Sequence, residues 1–165
     1  MGNLRSIQHK LKQIGINSVV TSEPEELNRA HALIFPGVGH FAHGMQNLCR
    51  MGLIPILNDL VLKRGVPILG ICLGMQLFSR RSEEGDAEGL GWIDAVTVRF
   101  RFEAGERMPV PHVGWEILRP MKSNALLDAV GHDQLFYFVH SYHMQCRNQE
   151  DVLATTDYGV SFVSA

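Results

Sequence analysis

Val66-Pro67-Ile68-Leu69-Gly70-Ile71-Cys72-Leu73-Gly74-Met75-Gln76-Leu77-Phe78 decides how the rest of the chain is read. An apolar run rich in β-branched residues reaches a cysteine that has a glycine two residues away on each side. A helix-compatible run leaves it. This is the pattern of a nucleophile elbow written with Cys in place of Ser, on a sharp strand-to-helix turn. Glycines are required there because a Cβ beside the nucleophile would clash or block the substrate. The positive end of the following helix is expected to lower the thiol pKa from about 8.5. The chain has 16 glycines and three cysteines in 165 residues, so this flanking pattern arises by chance about 0.03 times. The plainer reading is a buried, inert cysteine with turn glycines.

Composition bounds the rest. A chain of 165 residues at 45% hydrophobic suits one globular domain, 1–165, with a real core. Fifteen Lys and Arg stand against 17 Asp and Glu, a net charge of -2 with no block of like charges. That balance argues against nucleic acid or a membrane surface as the main partner. Cys49, Cys72 and Cys146 are odd in number and widely spaced, which disfavours a disulfide framework or a zinc site and favours a reducing, cytoplasmic home. No metal or cofactor is expected.

Read in order, Asn3 looks like a helix N-cap, and Leu4, Ile7, Leu11 and Ile14 recur at helical spacing until Gly15. Ser18 to Thr21 reads as a short strand, Pro24 to Leu27 as a helical turn and Ala32 to Phe35 as a buried strand. Pro36-Gly37-Val38-Gly39 breaks that strand abruptly. A helix from about Ile54 to Lys63 leads into the strand feeding Cys72. This rhythm predicts a doubly wound parallel sheet. The second half differs: Ser82 to Gly91 is a polar loop, and Ile93–Phe100, His112–Leu118, Gln134–Val139 and Val152–Thr156 read as strands. Asp157-Tyr158-Gly159 is a hairpin signal leading into Val160–Val163. Antiparallel strands added to a mixed sheet fit this half. Both ends look cut, since no strand precedes the first helix and the last strand runs to Ala165.

Ligands in open α/β sheets bind outside the carboxyl ends of the strands. Two such ends carry unusual residues, Cys72 and the Pro36-to-Gly39 turn. Gly37, Val38 and Gly39 can aim backbone N–H groups at an oxyanion, with the Leu73 N–H as second donor. Gln76, one turn beyond Cys72, projects from the same side of the helix. A thiol nucleophile needs a base. The candidates are His9, His31, His40, His43, His112, His132, His140 and His143, and spacing alone does not choose among them.

Gly70-Ile71-Cys72-Leu73-Gly74-Met75-Gln76 with Pro36-Gly37-Val38-Gly39 upstream resembles the class I glutamine amidotransferases. Gly2-Asn3-Leu4-Arg5-Ser6, Ser82-Glu83-Glu84-Gly85, Gly89-Leu90-Gly91, Pro111-His112-Val113-Gly114-Trp115, Tyr137-Phe138-Val139-His140-Ser141-Tyr142 and Ala154 to Gly159 narrow the resemblance to the glutaminase subunits of imidazole glycerol phosphate synthase. The resemblance implies a flavodoxin-like α/β domain with a mixed, mostly parallel sheet and helices on both faces. It implies that Cys72 attacks L-glutamine, that Val38 or Gly39 and Leu73 hold the oxyanion, and that Gln76 with the main chain of Ser141 and Tyr142 grips the glutamine head. It also implies a (β/α)8-barrel cyclase partner in a heterodimer, which receives the ammonia. The family's first strand and its His-Pro-Glu motif are not found in these 165 residues, so no residue here inherits the base. Three other readings stay open: a paralogous amidotransferase for amidino-sugar synthesis, to which Gly91-Trp92-Ile93-Asp94-Ala95 is similar; a non-catalytic partner-binding subunit; and another cysteine hydrolase of elbow type.

Overall fold

A computed structural model describes residues 4–103, 108–131 and 133–165. The expected cap Asn3 and the candidate base His132 lie outside the described residues. Helix α1 (Leu4–Gln13) follows the Leu4-Ile7-Leu11 spacing, and a turn at Ile14 and Gly15 (φ +80°) ends it. Helix α2 (Pro24–Asn28) begins on a proline, whose fixed φ suits the first turn. Strand β1 (Leu33–Gly37) leads to helix α3 (Phe41–Arg50), then helix α4 (Leu53–Asn58) continues as a π-helical segment, Asp59–Lys63. Strand β2 (Ile68–Cys72) and the four-residue helix α5 (Leu73–Gln76) complete the unit. Its core is Leu27, Phe41, Leu48, Leu53, Leu57, Leu60, Leu73 and Leu77, contributed by the helices around the β1–β2 pair.

Ser18 to Thr21 is not a strand. Residues 16–23 join no strand ladder, and Val19 and Val20 lie 72% and 50% exposed. A β-propensity run without a ladder to join leaves its backbone to water. Helix α3 carries no separate signal in the reading above, although Phe41, Met45 and Leu48 recur at helical spacing. Its Phe41 and Leu48 are buried.

The second half forms strands β3 (Arg81–Ser82), β4 (Ala87–Glu88), β5 (Ala95–Arg99), β6 (His112–Ile117), β7 (Arg119–Pro120), β8 (Leu135–His140), β9 (Tyr142–Cys146), β10 (Ala154–Tyr158) and β11 (Val160–Val163). The expected polar loop after Ser82 is therefore a short hairpin, with Gly85 and Asp86 at positive φ in its turn. Seven strands run in the order β4-β3-β5-β9-β11-β10-β7, while β1–β2 and β6–β8 are separate pairs. The fold is α/β with mixed pairing. The parallel share is smaller than expected, confined among the described residues to β1–β2 and β3–β5. The reason is connectivity. A tight turn such as the one at Gly159 (φ +66°) can only reverse the chain, whereas parallel strands need a crossover. Phe100, His112, Phe138, His140 and Phe162 form a second, aromatic core where β5, β6, β8 and β11 meet.

Candidate active site

The parallel ladder of β1 and β2 ends with Gly37 opposite Cys72. At Cys72 the chain leaves the strand with φ 55° and ψ −119°, outside the regions an L-residue ordinarily occupies. Strain of this kind costs on the order of 1–3 kcal/mol and persists only where the surroundings hold it. They do so here. A Cβ on Gly70 would lie 2.6 Å from Met75 Cα and from the Phe78 ring. On Gly74 it would collide with the Phe35 carbonyl oxygen, and on Gly37 it would lie 2.7 Å from Gly74 N. Three glycines thus let β1, β2 and α5 press together. The residue between them is exposed, not sunk in the core, which removes the reading of an inert buried cysteine.

The thiol is not activated as expected. Partial enclosure by the protein pushes the Cys72 pKa up, the Leu73 N–H bonded to the sulfur pulls it down, and the Glu84 carboxylate pushes it up again. Helix α5, only four residues long, offers little dipole. A neutral thiol resting on the Leu73 amide is the ground state.

Near Cys72 the structure places the turn after β1, the start of α5 and, through Gln76, the start of β9. Leu73 has its side chain buried and its N–H on the sulfur. Val38 is 53% exposed, and Gly39 (φ +103°) faces open space. Gln76, for which a solvent-facing helix position was the likelier reading on spacing alone, is buried, and its Nε2 donates to the Tyr142 carbonyl at 2.9 Å. That bond ties the start of β9 to the helix that follows the cysteine. The Ser141 carbonyl accepts from Phe100 N at 3.1 Å. The Gln76 carbonyl in turn accepts from the fully buried Ser79 hydroxyl at 2.8 Å.

The histidines do not engage the sulfur. No histidine among the described residues is hydrogen-bonded to Cys72. His140 bonds His112 and Tyr142, and His143 packs its ring on Phe100. One residue that acts on Cys72, Glu84, had no role assigned from the sequence. The Glu84 carboxylate acts on Cys72 through its charge, and its Oε2 accepts from Phe41 N at 2.7 Å at the start of α3. His40, directly after Gly39, has a buried Nδ1 without a partner. The Ser82-to-Gly85 stretch was a signal for Glu84. Nothing in sequence spacing places it beside the elbow. Among the described residues, no group of three or more His, Cys, Asp or Glu is arranged to hold a metal ion, and no helix is long and apolar enough to cross a membrane.

The family described as glutamine amidotransferase class-I matches residues 1–163. This chain belongs to the class I glutamine amidotransferases. Amidotransferase relatives named imidazole glycerol phosphate synthase subunit HisH 2 are 44% identical in Methanococcus maripaludis and 39% in Pseudomonas aeruginosa, each over 100% of this chain and 81% of the relative. A HisH subunit of Archaeoglobus fulgidus is 42% identical over 99% of this chain and 79% of its own length. A solved structure titled as a glutamine amidotransferase superposes with a TM-score of 0.65, covering 94% of this chain and 80% of that one. At 20% identity it speaks for the amidotransferase fold alone.

Proposed function

We propose that this protein is the glutaminase subunit of imidazole glycerol phosphate synthase, in histidine biosynthesis. The observation that carries it is the exposed Cys72 thiol on a strained elbow opposite Gly37, in a chain up to 44% identical to HisH subunits. The reaction follows from the chemistry. Cys72 Sγ adds to the side-chain carbonyl of L-glutamine, and the tetrahedral oxyanion takes hydrogen bonds from the Leu73 N–H and an amide at Val38 or Gly39. The C–N bond breaks, ammonia leaves with the added proton, and a glutamyl thioester remains. Water then attacks the thioester, releasing glutamate and the thiol. Gln76 with the Ser141 and Tyr142 main chain holds the amino-acid head. The proton from Sγ needs a base, and the described residues place none in contact with the sulfur.

The ammonia is passed to a barrel cyclase subunit in a heterodimer, in the cytoplasm. An exposed apolar face on β6 and β8, with Val113, Trp115, Tyr137 and Val139 each more than half exposed, supports a protein partner. A second reading is an amidotransferase for amidino-sugar synthesis. The stretch Gly91-Trp92-Ile93-Asp94-Ala95 favours it. A chloroketone analogue of glutamine tests the site, because a thiol displaces chloride without a catalytic base. Labelling confined to Cys72 and blocked by L-glutamine is expected. Labelling that glutamine does not protect overturns the proposal. Complementation of a histidine auxotroph by the gene separates the two pathways.

A further inference from the structure

His112 and His140 stand opposite each other in the β6–β8 pair, on the face turned toward Phe100 and Phe162. His112 is fully buried. Its Nδ1 lies 3.1 Å from His140 Nε2, and His140 Nδ1 lies 2.8 Å from the Tyr142 carbonyl oxygen. The same oxygen accepts from Gln76 Nε2. A carbonyl only accepts, so His140 Nδ1 carries a proton. Burial holds both rings below the ordinary imidazole pKa, and both are neutral at pH 7. His140 Nε2 is therefore a bare acceptor, and the proton between the rings belongs to His112 Nδ1. This leaves His112 Nε2 unprotonated, and that atom is buried with no hydrogen-bond partner. A Glu116 oxygen lies 3.9 Å from it, beyond hydrogen-bond reach. Every hydrogen bond in the series is thus fixed in direction.

The consequence falls on Gln76. Both lone pairs of the Tyr142 oxygen are filled, one by each donor. The Gln76 amide cannot flip without setting its own oxygen against that carbonyl. Among the described residues its Oε1 makes no hydrogen bond, so an acceptor is what remains for a ligand.

We propose that His112 and His140 are positioning residues for substrate: donating in series onto the Tyr142 carbonyl, they hold the Gln76 carboxamide with Oε1 presented to the ammonium or amide donors of glutamine. This rests on the glutaminase reading of Cys72 and Gln76. The test uses the purified protein, the chloroketone analogue of glutamine, and iodoacetamide, which lacks the amino-acid head. Labelling of Cys72 is read by peptide mass spectrometry. His140→Leu fills the ring's volume without a donor, and His140→Asn returns a donor at the Nδ1 position. In His140→Leu the half-saturating concentration of analogue is expected to rise about tenfold, as for loss of an oriented buried hydrogen bond. The limiting labelling rate and the iodoacetamide rate stay unchanged, and His140→Asn recovers most of the loss. His112→Phe, which keeps the stacking on Tyr158, is expected to show a smaller rise and serves if His140→Leu does not fold. An unchanged half-saturation in a folded variant, or an Asn variant as impaired as Leu, overturns the inference. A wild-type protein that the analogue does not label overturns the glutaminase reading itself, and this inference with it.

Discussion

Gly37 and Cys72 face each other across the last rung of a parallel ladder, and the amide nitrogen of Gly74 closes over the pair. The nucleophile and the turn that would stabilise its oxyanion are thus neighbours by register. A Cβ added at Gly37 or Gly74 forces β1 and the start of α5 apart.

Gly74→Ala is accordingly expected to lose about 3 kcal/mol or more, since its new methyl meets backbone rather than a side chain that can yield. Gly39→Ala meets nothing within 4 Å and carries only the cost of a positive φ, about 1–2 kcal/mol. Urea unfolding of the two variants checks the order. A Gly74→Ala protein as stable as Gly39→Ala would mean that the turn and elbow are not packed as described.

The alkylation of Cys72 by iodoacetamide is expected to have its pH midpoint above that of a free thiol. Desolvation and the Glu84 carboxylate together outweigh the Leu73 N–H. Glu84→Gln keeps an oxygen for the Phe41 amide and removes the charge. The midpoint should then fall and the rate at pH 8 increase. A midpoint unmoved by this change places the charge elsewhere.

Stability should depend on pH through the buried histidines. Burial holds His112, His140 and His143 below the imidazole value of about 6.5. Between their folded pKa values and 6.5 the unfolded chain binds more protons, so stability is complete above about pH 6.5 and declines as pH falls below it. The His112→Asn, His140→Asn double variant leaves only His143 of the three and should flatten the fall in Tm between pH 7 and pH 5. An equally steep fall would assign the titration to other groups.

Glutamate release by these 165 residues should be slow, because no described histidine reaches Cys72. Absence of the base in such a constellation typically costs about 10⁴- to 10⁶-fold in kcat. Measured with a cyclase subunit present, release near that of a full-length glutaminase would mean that a histidine swings onto the sulfur.

Much of this was legible in the residues. The glycine spacing around Cys72 marked the elbow, because a strained turn tolerates few side chains and leaves a local signature. Strands β1, β2, β5, β6, β8 and β10 followed from apolar runs for the same local reason. Ser18 to Thr21 shows the converse: its β-branched residues indicate what the segment could do, while pairing depends on a neighbour that propensity does not record. Strand β9 was missed because Ser141 interrupts an otherwise continuous pattern from Leu135 to Cys146 only in space, where the chain passes from one sheet to another.

By itself, then, the order of residues determined the elbow, the turn before it and the α/β class, since each rests on contacts close along the chain or on backbone conformations that few residues adopt. The tertiary structure alone decided that Gln76 is buried against Tyr142, that His140 and His112 serve that carbonyl rather than the thiol, and that Glu84 bears on Cys72. These are long-range hydrogen bonds and charge interactions, spanning 66 residues from Gln76 to Tyr142. Their partners are set by how sheets and helices pack, which no spacing in the chain encodes.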